Sequence, residues 1–336
     1  MNVVIFEAEP WEEELFEGSC EGHSVRVLEG ALSADNAADY DDAEIISTFI
    51  YSSMDRDTLQ QFPDLKLIAT RSTGFDHIAM DYCAEKGITV SNVPTYGDNT
   101  VAEHVFALLL AVARKIPQAV DRTRKGDFSM EGLRGVDLKG RTLGVIGTGS
   151  IGRRVIEIAG GFGMDVLAFD VVPDEEMADK LGFRYVTLDE LLSGSDAITL
   201  HVPANDKTEG MLSNREFERM KRGVILLNTA RGSVVDTQAL LRALSDGRVA
   251  GAGLDVLDEE PTIREEAELL RSIFRKEHHL DRLLADHVLM HMRNVVVTPH
   301  IGFDTEEAVR RIVETTLANI DGYCRGEPEN VVSKEG

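Results

Sequence analysis

Apolar runs of strand length alternate with helical stretches along this chain from Asn2 to His300. Such alternation buries parallel sheets between helices, which predicts an α/β architecture. Several runs end on a residue suited to acid–base or carboxylate chemistry. Gly223–Asn228 (GVILLN) leads into Thr229, Ala230 and Arg231, and Gly251–Val256 (GAGLDV) leads into Leu257–Pro261, which carries Glu260. Asn294–Thr298 (NVVVT) leads into Pro299 and His300, and Arg141–Ile146 (RTLGVI) into Gly147-Thr148-Gly149-Ser150-Ile151-Gly152. Open parallel sheets bind ligands outside the carboxyl ends of their strands. An arginine, a glutamate, a histidine and a glycine-rich turn are therefore expected to face one crevice.

The 336 residues suffice for two cores. Five short strands are expected in the first 98 residues: Asn2–Phe6, Val25–Leu28, Glu44–Thr48, Lys66–Ala69 and Ile88–Val90. They predict a small flavodoxin-like unit. A long helix should follow, capped by Asp98 or Asn99 and running through VAEHVFALLLAVARKI to Ile116, with Pro117 beyond. It is apolar on most faces, so it is expected between domains or at a dimer interface. Residues 118–140 read as a polar excursion. Strands near 142–147, 165–169, 185–187, 197–202, 224–228, 251–256 and 294–298 complete a dinucleotide fold. A final helix, Thr305–Tyr323, carries Ala308, Ile312, Val313, Leu317 and Ile320 on one face and should return to the first unit. The predicted architecture is two Rossmann-like or flavodoxin-like domains with parallel sheets. A cofactor domain at 99–302 is inserted into a substrate domain made of 1–98 and 303–336.

The glycine turn sits in the right context for a dinucleotide, after a strand and before a helix. Gly147 permits a tight turn, Gly149 lets the backbone approach a pyrophosphate, and Gly152 lets helix and strand pack closely. The helix N-terminus offers N–H donors to phosphate. The next strand ends at Asp170, where a carboxylate accepts from ribose hydroxyls and repels a 2′-phosphate. No Arg or Lys follows at once, so NAD is favoured over NADP.

Net charge is −24, which opposes binding to nucleic acid or anionic membrane. Arg outnumbers Lys 25 to 10, and acidic chains poor in Lys suit high salt or a GC-rich genome. No apolar run reaches the ~18 residues of a membrane helix. The first residues read as a strand rather than a signal. Cys20, Cys83 and Cys324 form no CxxC pattern and fit a reducing compartment. The expected location is the cytoplasm.

VIGTGSIGRRV, HVPANDKTEGML, LLNTARGSVVD, GAGLDVLDEEP and TPHIGFDT, with RSTGFDHI and VPTYGDNTVAEHVFALLLAVARKI upstream, resemble the signature segments of the NAD-dependent D-isomer-specific 2-hydroxyacid dehydrogenases. The resemblance covers nearly the whole chain, in order and spacing. It implies that Arg231 binds a substrate carboxylate, for which a guanidinium fork is well shaped. It implies that His300 is the acid–base and that Glu260 orients it and favours the imidazolium. Position alone does not choose among Asp258, Glu259 and Glu260; the family motif places the functional acid just before the proline. Ser72, Thr73 and Gly74 would offer backbone N–H groups to the same carboxylate. Tyr96 and Phe303, and less directly Tyr51, are candidates for the pocket wall. His201, Val202, Pro203, Thr208, Asn228, Thr229 and Ala230 would border the cofactor, and Asp255 would accept from its carboxamide.

The stretch 262–293 is long, and with the aromatic Phe303 it resembles the D-lactate-dehydrogenase-like branch. It holds His278, His279, His287 and His291, but no third ligand accompanies the His287/His291 pair, so no metal is expected. The expected reaction is reversible hydride transfer between NADH and C2 of a small, pyruvate-like 2-oxo acid, with the two domains closing over it. A homodimer through the cofactor domain is expected. The alternatives are a phosphite-type dehydrogenase and an NAD-sensing corepressor-like protein.

Overall fold

A computed structural model describes residues 1–19, 22–75, 77–258 and 280–333. The chain divides into two compact units, one made of Met1–Tyr96 with Thr305–Gly336 and the other of Gly97–Asp304.

The first unit is built on five parallel strands: β1 (Asn2–Ile5), β2 (Ser24–Val27), β3 (Ile45–Thr48), β4 (Leu67–Thr70) and β5 (Thr89–Ser91). Their order is β2-β1-β3-β4-β5, the flavodoxin-like winding. Side chains alternate between two apolar layers, as strand geometry requires. Val3, Ile5, Ile45, Leu67 and Ala69 face Phe16, Val313 and Ile320, whereas Val4, Ile46, Ile68 and Val90 face Leu59, Phe62 and Tyr82. The last helix, Glu306–Cys324, lies against the first of these layers. Thr305 caps it by accepting from the Ala308 N–H, as its position in the sequence suggests. Full burial of Ile312, Val313 and Ile320 contributes about 1.5–3 kcal/mol each.

The second unit holds β6 (Thr142–Ile146), β7 (Asp165–Phe169), β8 (Arg184–Tyr185), β9 (Ala197–Leu200), β10 (Val224–Asn228), β11 (Val249–Leu254) and β12 (Val295–Val297). The order β12-β11-β10-β9-β6-β7-β8 is the dinucleotide-binding winding with a seventh strand added. All its described pairings are parallel.

The long helix departs from the sequence reading in three ways. It begins at Asp98 itself, with Gly97 in the cap position and no side-chain cap. It stops at Ala113, and a second helix, Ile116–Arg124, follows after Lys115 turns to φ +54°. The cause is Pro117, which has no N–H for the Ala113 carbonyl and would clash with it. That carbonyl instead accepts from Val136 N–H at 3.0 Å, from the returning loop. Finally, the helix buries its apolar residues within the dinucleotide unit. It packs on β10, β11 and the helix Ser150–Gly161. A Cβ on Gly253 would meet Leu108 at 2.8 Å, and one on Gly251 would meet Val112 at 2.7 Å, so these two glycines set how closely helix and sheet approach.

Candidate active site

In the dinucleotide unit the chain reverses winding between β6 and β9, and the turns leaving these strands are the glycine turn and His201–Pro203. Gly147 has φ +95°, and a Cβ there would collide with the His201 carbonyl. A Cβ on Gly152 would collide with the Gly147 carbonyl. Gly149 differs: a Cβ on it meets no atom within 4 Å. Two glycines therefore serve the turn itself, and the third faces open space at the start of the helix Ser150–Gly161. Gly149 and Ser150 are exposed and Ile151 is half-buried. The first N–H groups of that helix have no intrahelical partner and are suited to phosphate.

Asp170 lies at the end of β7. Its Oδ2 accepts from Thr148 N–H at 2.7 Å and Thr148 Oγ1 at 3.0 Å, and its Oδ1 from Val172 N–H at 3.0 Å. Partial desolvation raises this carboxyl, but those hydrogen bonds outweigh it and hold the group below the usual carboxylate range. The acid is thus charged and tied to the glycine turn, with lone pairs left for a ribose. Thr229, just past β10, has a buried hydroxyl with no hydrogen-bond partner, an acceptor–donor group suited to a bound cofactor. Open space at Gly149, the charged Asp170 and this orphaned hydroxyl fit an NAD molecule.

Two other expected cofactor residues turn inward. Thr208 Oγ1 donates to the Pro203 carbonyl at 2.5 Å and accepts from Asn205 N–H at 2.9 Å, closing the 203–208 loop. His201 Nε2 lies 2.9 Å from Thr199 Oγ1, and desolvation pushes its imidazole down to about 3, so the ring is neutral at working pH.

Arg231, Asp255 and His300 follow the three neighbouring strands β10, β11 and β12. The Arg231 turn is held by Asn228, whose Oδ1 accepts from Ala230 N–H at 3.0 Å and whose Nδ2 donates to the Arg231 carbonyl at 2.9 Å. A Cβ on Gly232 would collide with Leu257, so this turn packs against the segment leading towards Glu260. Glu260, like Cys20, His278 and His279, lies outside the described residues.

His300 has φ +55°, a left-handed backbone that is uncommon for a residue other than glycine and costs energy to hold. Asp255, 2% exposed, holds this turn. Its Oδ1 accepts from Thr298 Oγ1 at 2.6 Å and Ile301 N–H at 3.0 Å, its Oδ2 from Gly302 N–H at 2.8 Å, and its backbone carbonyl from His300 N–H at 2.9 Å. His104 Nε2 completes the cluster, 3.3 Å from Asp255 Oδ1 and 3.0 Å from Thr298 Oγ1. Burial raises the Asp255 carboxyl, but His104, Thr298 and Gly302 outweigh it and keep it below the usual range. Phe303 stands edge-on to His300, ring centroids 6.5 Å apart. The roles of Asn228, His104 and Thr298 in shaping these loops were missed in the sequence. His104 did leave a sign, as a polar ring inside VAEHVFALLL.

Ser72, Thr73, Gly74 and Tyr96 belong to the first unit, beyond β4 and β5. Ser72 Oγ lies 2.6 Å from the Gly74 carbonyl, and Thr73 Oγ1 donates to the Val93 carbonyl at 2.8 Å. The first closes the turn internally and the second ties it to the segment past β5. The Tyr96 carbonyl accepts from the Arg311 guanidinium at 2.7 Å.

Among the described residues no group of three or more His, Cys, Asp or Glu could hold a metal. Nor is any described helix long and apolar enough to cross a membrane.

Residues 106–302 match the family model of the D-isomer specific 2-hydroxyacid dehydrogenase NAD-binding domain. The chain is 35% identical to D-lactate dehydrogenase kk1H of Curvularia clavata, over 98% of this chain and 94% of that protein. It is 36% identical to an aromatic 2-oxoacid reductase of Clostridium sporogenes, over 97% and 99%. Among solved structures, the D-lactate dehydrogenase of Aquifex aeolicus complexed with NAD and lactic acid superposes with a TM-score of 0.88. The two are 38% identical, over 98% of this chain and 99% of that one.

Proposed function

Because this chain belongs to the D-isomer-specific 2-hydroxyacid dehydrogenases, NAD-dependent oxidoreductases, we propose that it interconverts short 2-oxo acids and D-2-hydroxy acids, with pyruvate-like acids preferred. NAD, when bound, supplies or accepts the hydride at C2. Arg231 holds the substrate carboxylate and polarises the neighbouring carbonyl. His300 gives a proton to the carbonyl oxygen during reduction and takes it back during oxidation. Glu260 pairs with that imidazole, a role carried over from the family motif. The backbone N–H groups of Ser72, Thr73 and Gly74 are a second carboxylate site, and Tyr96 and Phe303 are wall residues. The observation that carries the reading is the clamped, left-handed His300, delivered by the strand group that also delivers Arg231.

NADH oxidation against pyruvate, glyoxylate, hydroxypyruvate, 2-oxobutyrate and 4-methyl-2-oxopentanoate tests this, with NADPH in parallel. Preference for a short acid with NADH, and a D product, is the expected result. Tight NADH binding with no turnover on any of them overturns it. His300→Ala should abolish turnover and leave NADH binding intact.

A homodimer through the dinucleotide unit is part of the proposal. Phe128 and Met130 are 82% and 86% exposed, and Ile116, Val120 and Val136 are exposed beside them in sequence. Exposed apolar residues grouped in this way mark an interaction surface. Residues 114–141 carry eight basic and four acidic side chains in a chain of charge −24, which lessens repulsion between copies there. The free thiols Cys83 and Cys324 support a reducing, cytoplasmic setting.

A further inference from the structure

The first unit contains a second polar frame, partly buried, at the winding reversal between β1 and β3, where sheets of this order bind ligands. Glu7, just past β1, has φ +56°, a strained conformation for a side-chain-bearing residue. Its carboxylate reaches across to the loop that leaves β3. Oε2 accepts from Phe49 N–H at 2.9 Å, Ser52 N–H at 3.2 Å and Ser52 Oγ at 2.5 Å; Oε1 accepts from Tyr51 N–H at 2.7 Å. The Glu7 backbone is fixed from the other side by Arg71. That guanidinium donates to the Phe6 carbonyl at 2.6 Å and the Glu7 carbonyl at 2.5 Å, and pairs with Glu12 at 3.1 Å. Arg71 and Glu12 are 2% and 5% exposed. Arg71 immediately precedes Ser72-Thr73-Gly74.

One connected set of hydrogen bonds therefore ties the 72–74 turn to the 49–52 loop through Glu7. That loop presents Tyr51, 50% exposed, with its ring edge-on to Phe49. We propose that Glu7 is a positioning residue for substrate selection: it fixes the 49–52 loop against the carboxylate-binding turn, and so sets which C3 substituents a 2-oxo acid can carry. The inference rests on the function proposed above. With the carboxylate held at 72–74, the remaining dimension of the substrate is measured by whatever stands at a fixed distance from that turn. A loop closed only by its own contacts would need no carboxylate in a left-handed backbone to hold three of its N–H groups.

Glu7→Gln isolates the effect. An amide has nearly the same shape, and its oxygen can serve the Phe49 and Ser52 donors. Its NH2 then faces the Tyr51 N–H, donor against donor, so the Tyr51 end of the loop is released. In steady-state assays, the ratio of kcat/KM for pyruvate to that for 4-methyl-2-oxopentanoate should shift by about tenfold or more, as loss of one charge-assisted hydrogen bond allows. The NADH dissociation constant should stay at its native value. A ratio within about twofold of native, in an enzyme that turns over, overturns the inference. Ser52→Ala, which removes only the hydroxyl donor, serves if Glu7→Gln does not fold, and should move the ratio in the same direction. If the native protein reduces no 2-oxo acid, the functional reading fails first and this inference with it.

Discussion

Asp255→Asn removes one charge from the clamp beneath His300 and changes little else in volume. In the native protein the carboxylate meets Thr298 Oγ1, Ile301 N–H and Gly302 N–H at 2.6, 3.0 and 2.8 Å, in a position 2% exposed. An asparagine oxygen can keep the first two. Its NH2 then opposes the Gly302 N–H, which leaves two buried donors unmatched and costs about 2–4 kcal/mol. Holding His300 at φ +55° costs about 1–2 kcal/mol, so a clamp weakened by that amount no longer enforces it. If His300 must sit there to deliver its proton, kcat/KM for the preferred 2-oxo acid falls about thirty- to a thousandfold. The melting temperature drops by about 2–4 °C for each kcal/mol lost. The decisive assay is kcat at saturating NADH, beside the NADH dissociation constant from fluorescence titration. A clamp defect persists at saturation. If Asp255 serves only the carboxamide, NADH binds more weakly and kcat recovers when the site is filled. A kcat within threefold of native at saturating NADH refutes the clamp.

Three other outcomes follow from named groups. His201 is protonated in the unfolded chain below about pH 6.5 but in the folded protein only near 3, so unfolding takes up a proton between those values. Stability contributed by the neutral ring is complete above the unfolded value and declines as pH falls. His201→Gln should flatten the fall in melting temperature between about pH 6.5 and 5, above the range where most carboxylates protonate. Asp170→Ser should raise the NADPH-to-NADH ratio of kcat/KM by more than about tenfold, because the charge that repels a 2′-phosphate is gone; an unchanged ratio argues against its ribose role. If the protein forms the proposed dimer, Phe128→Asp with Met130→Asp should convert it to monomer by light scattering without lowering the melting temperature of the dinucleotide unit, and a persistent dimer places the interface elsewhere.

The strand–helix alternation made both parallel sheets legible, because parallel strands buried on two faces must be apolar runs; their order came from the structure. The helix break at 114–115 was not legible. Pro117 was in view as a terminator, but a proline stops the ladder at the residue four before it, and the carbonyl it strands needs a partner that only the fold brings near. Here that partner is Val136, twenty-three residues on in sequence, in a stretch that read as mere excursion. The shape of the loops was legible where a residue type answers to a backbone demand. Gly147 and Gly152 are such cases, since no side chain fits there. It was less legible where a polar side chain had two ways to face. Thr208 read as a cofactor neighbour, and its hydroxyl in fact closes its own loop.

Asn228 and Asp255 show why that ambiguity concentrates at strand ends. Each is the first polar side chain after an apolar run, and the two strands are neighbours, with Asp255 N–H donating to the Asn228 carbonyl at 2.9 Å. A loop that projects a reactive group beyond the sheet has no ladder to satisfy its backbone. An apolar residue at its root would leave those N–H and C=O groups buried and unpaired, at about 1–3 kcal/mol each. A short polar side chain at the root satisfies them and fixes the loop at once. Asn228 does this for the turn bearing Arg231, and Asp255 for the turn bearing His300. A polar residue at such a root therefore holds its own turn, whatever else it touches. On the other sheet the polar roots reach across instead: Glu7, past β1, holds the loop past β3, and Arg71, past β4, holds the Phe6 and Glu7 carbonyls past β1. In the proposed mechanism the side chains that would meet substrate lie a few residues further along, at positions whose backbone the root has already fixed.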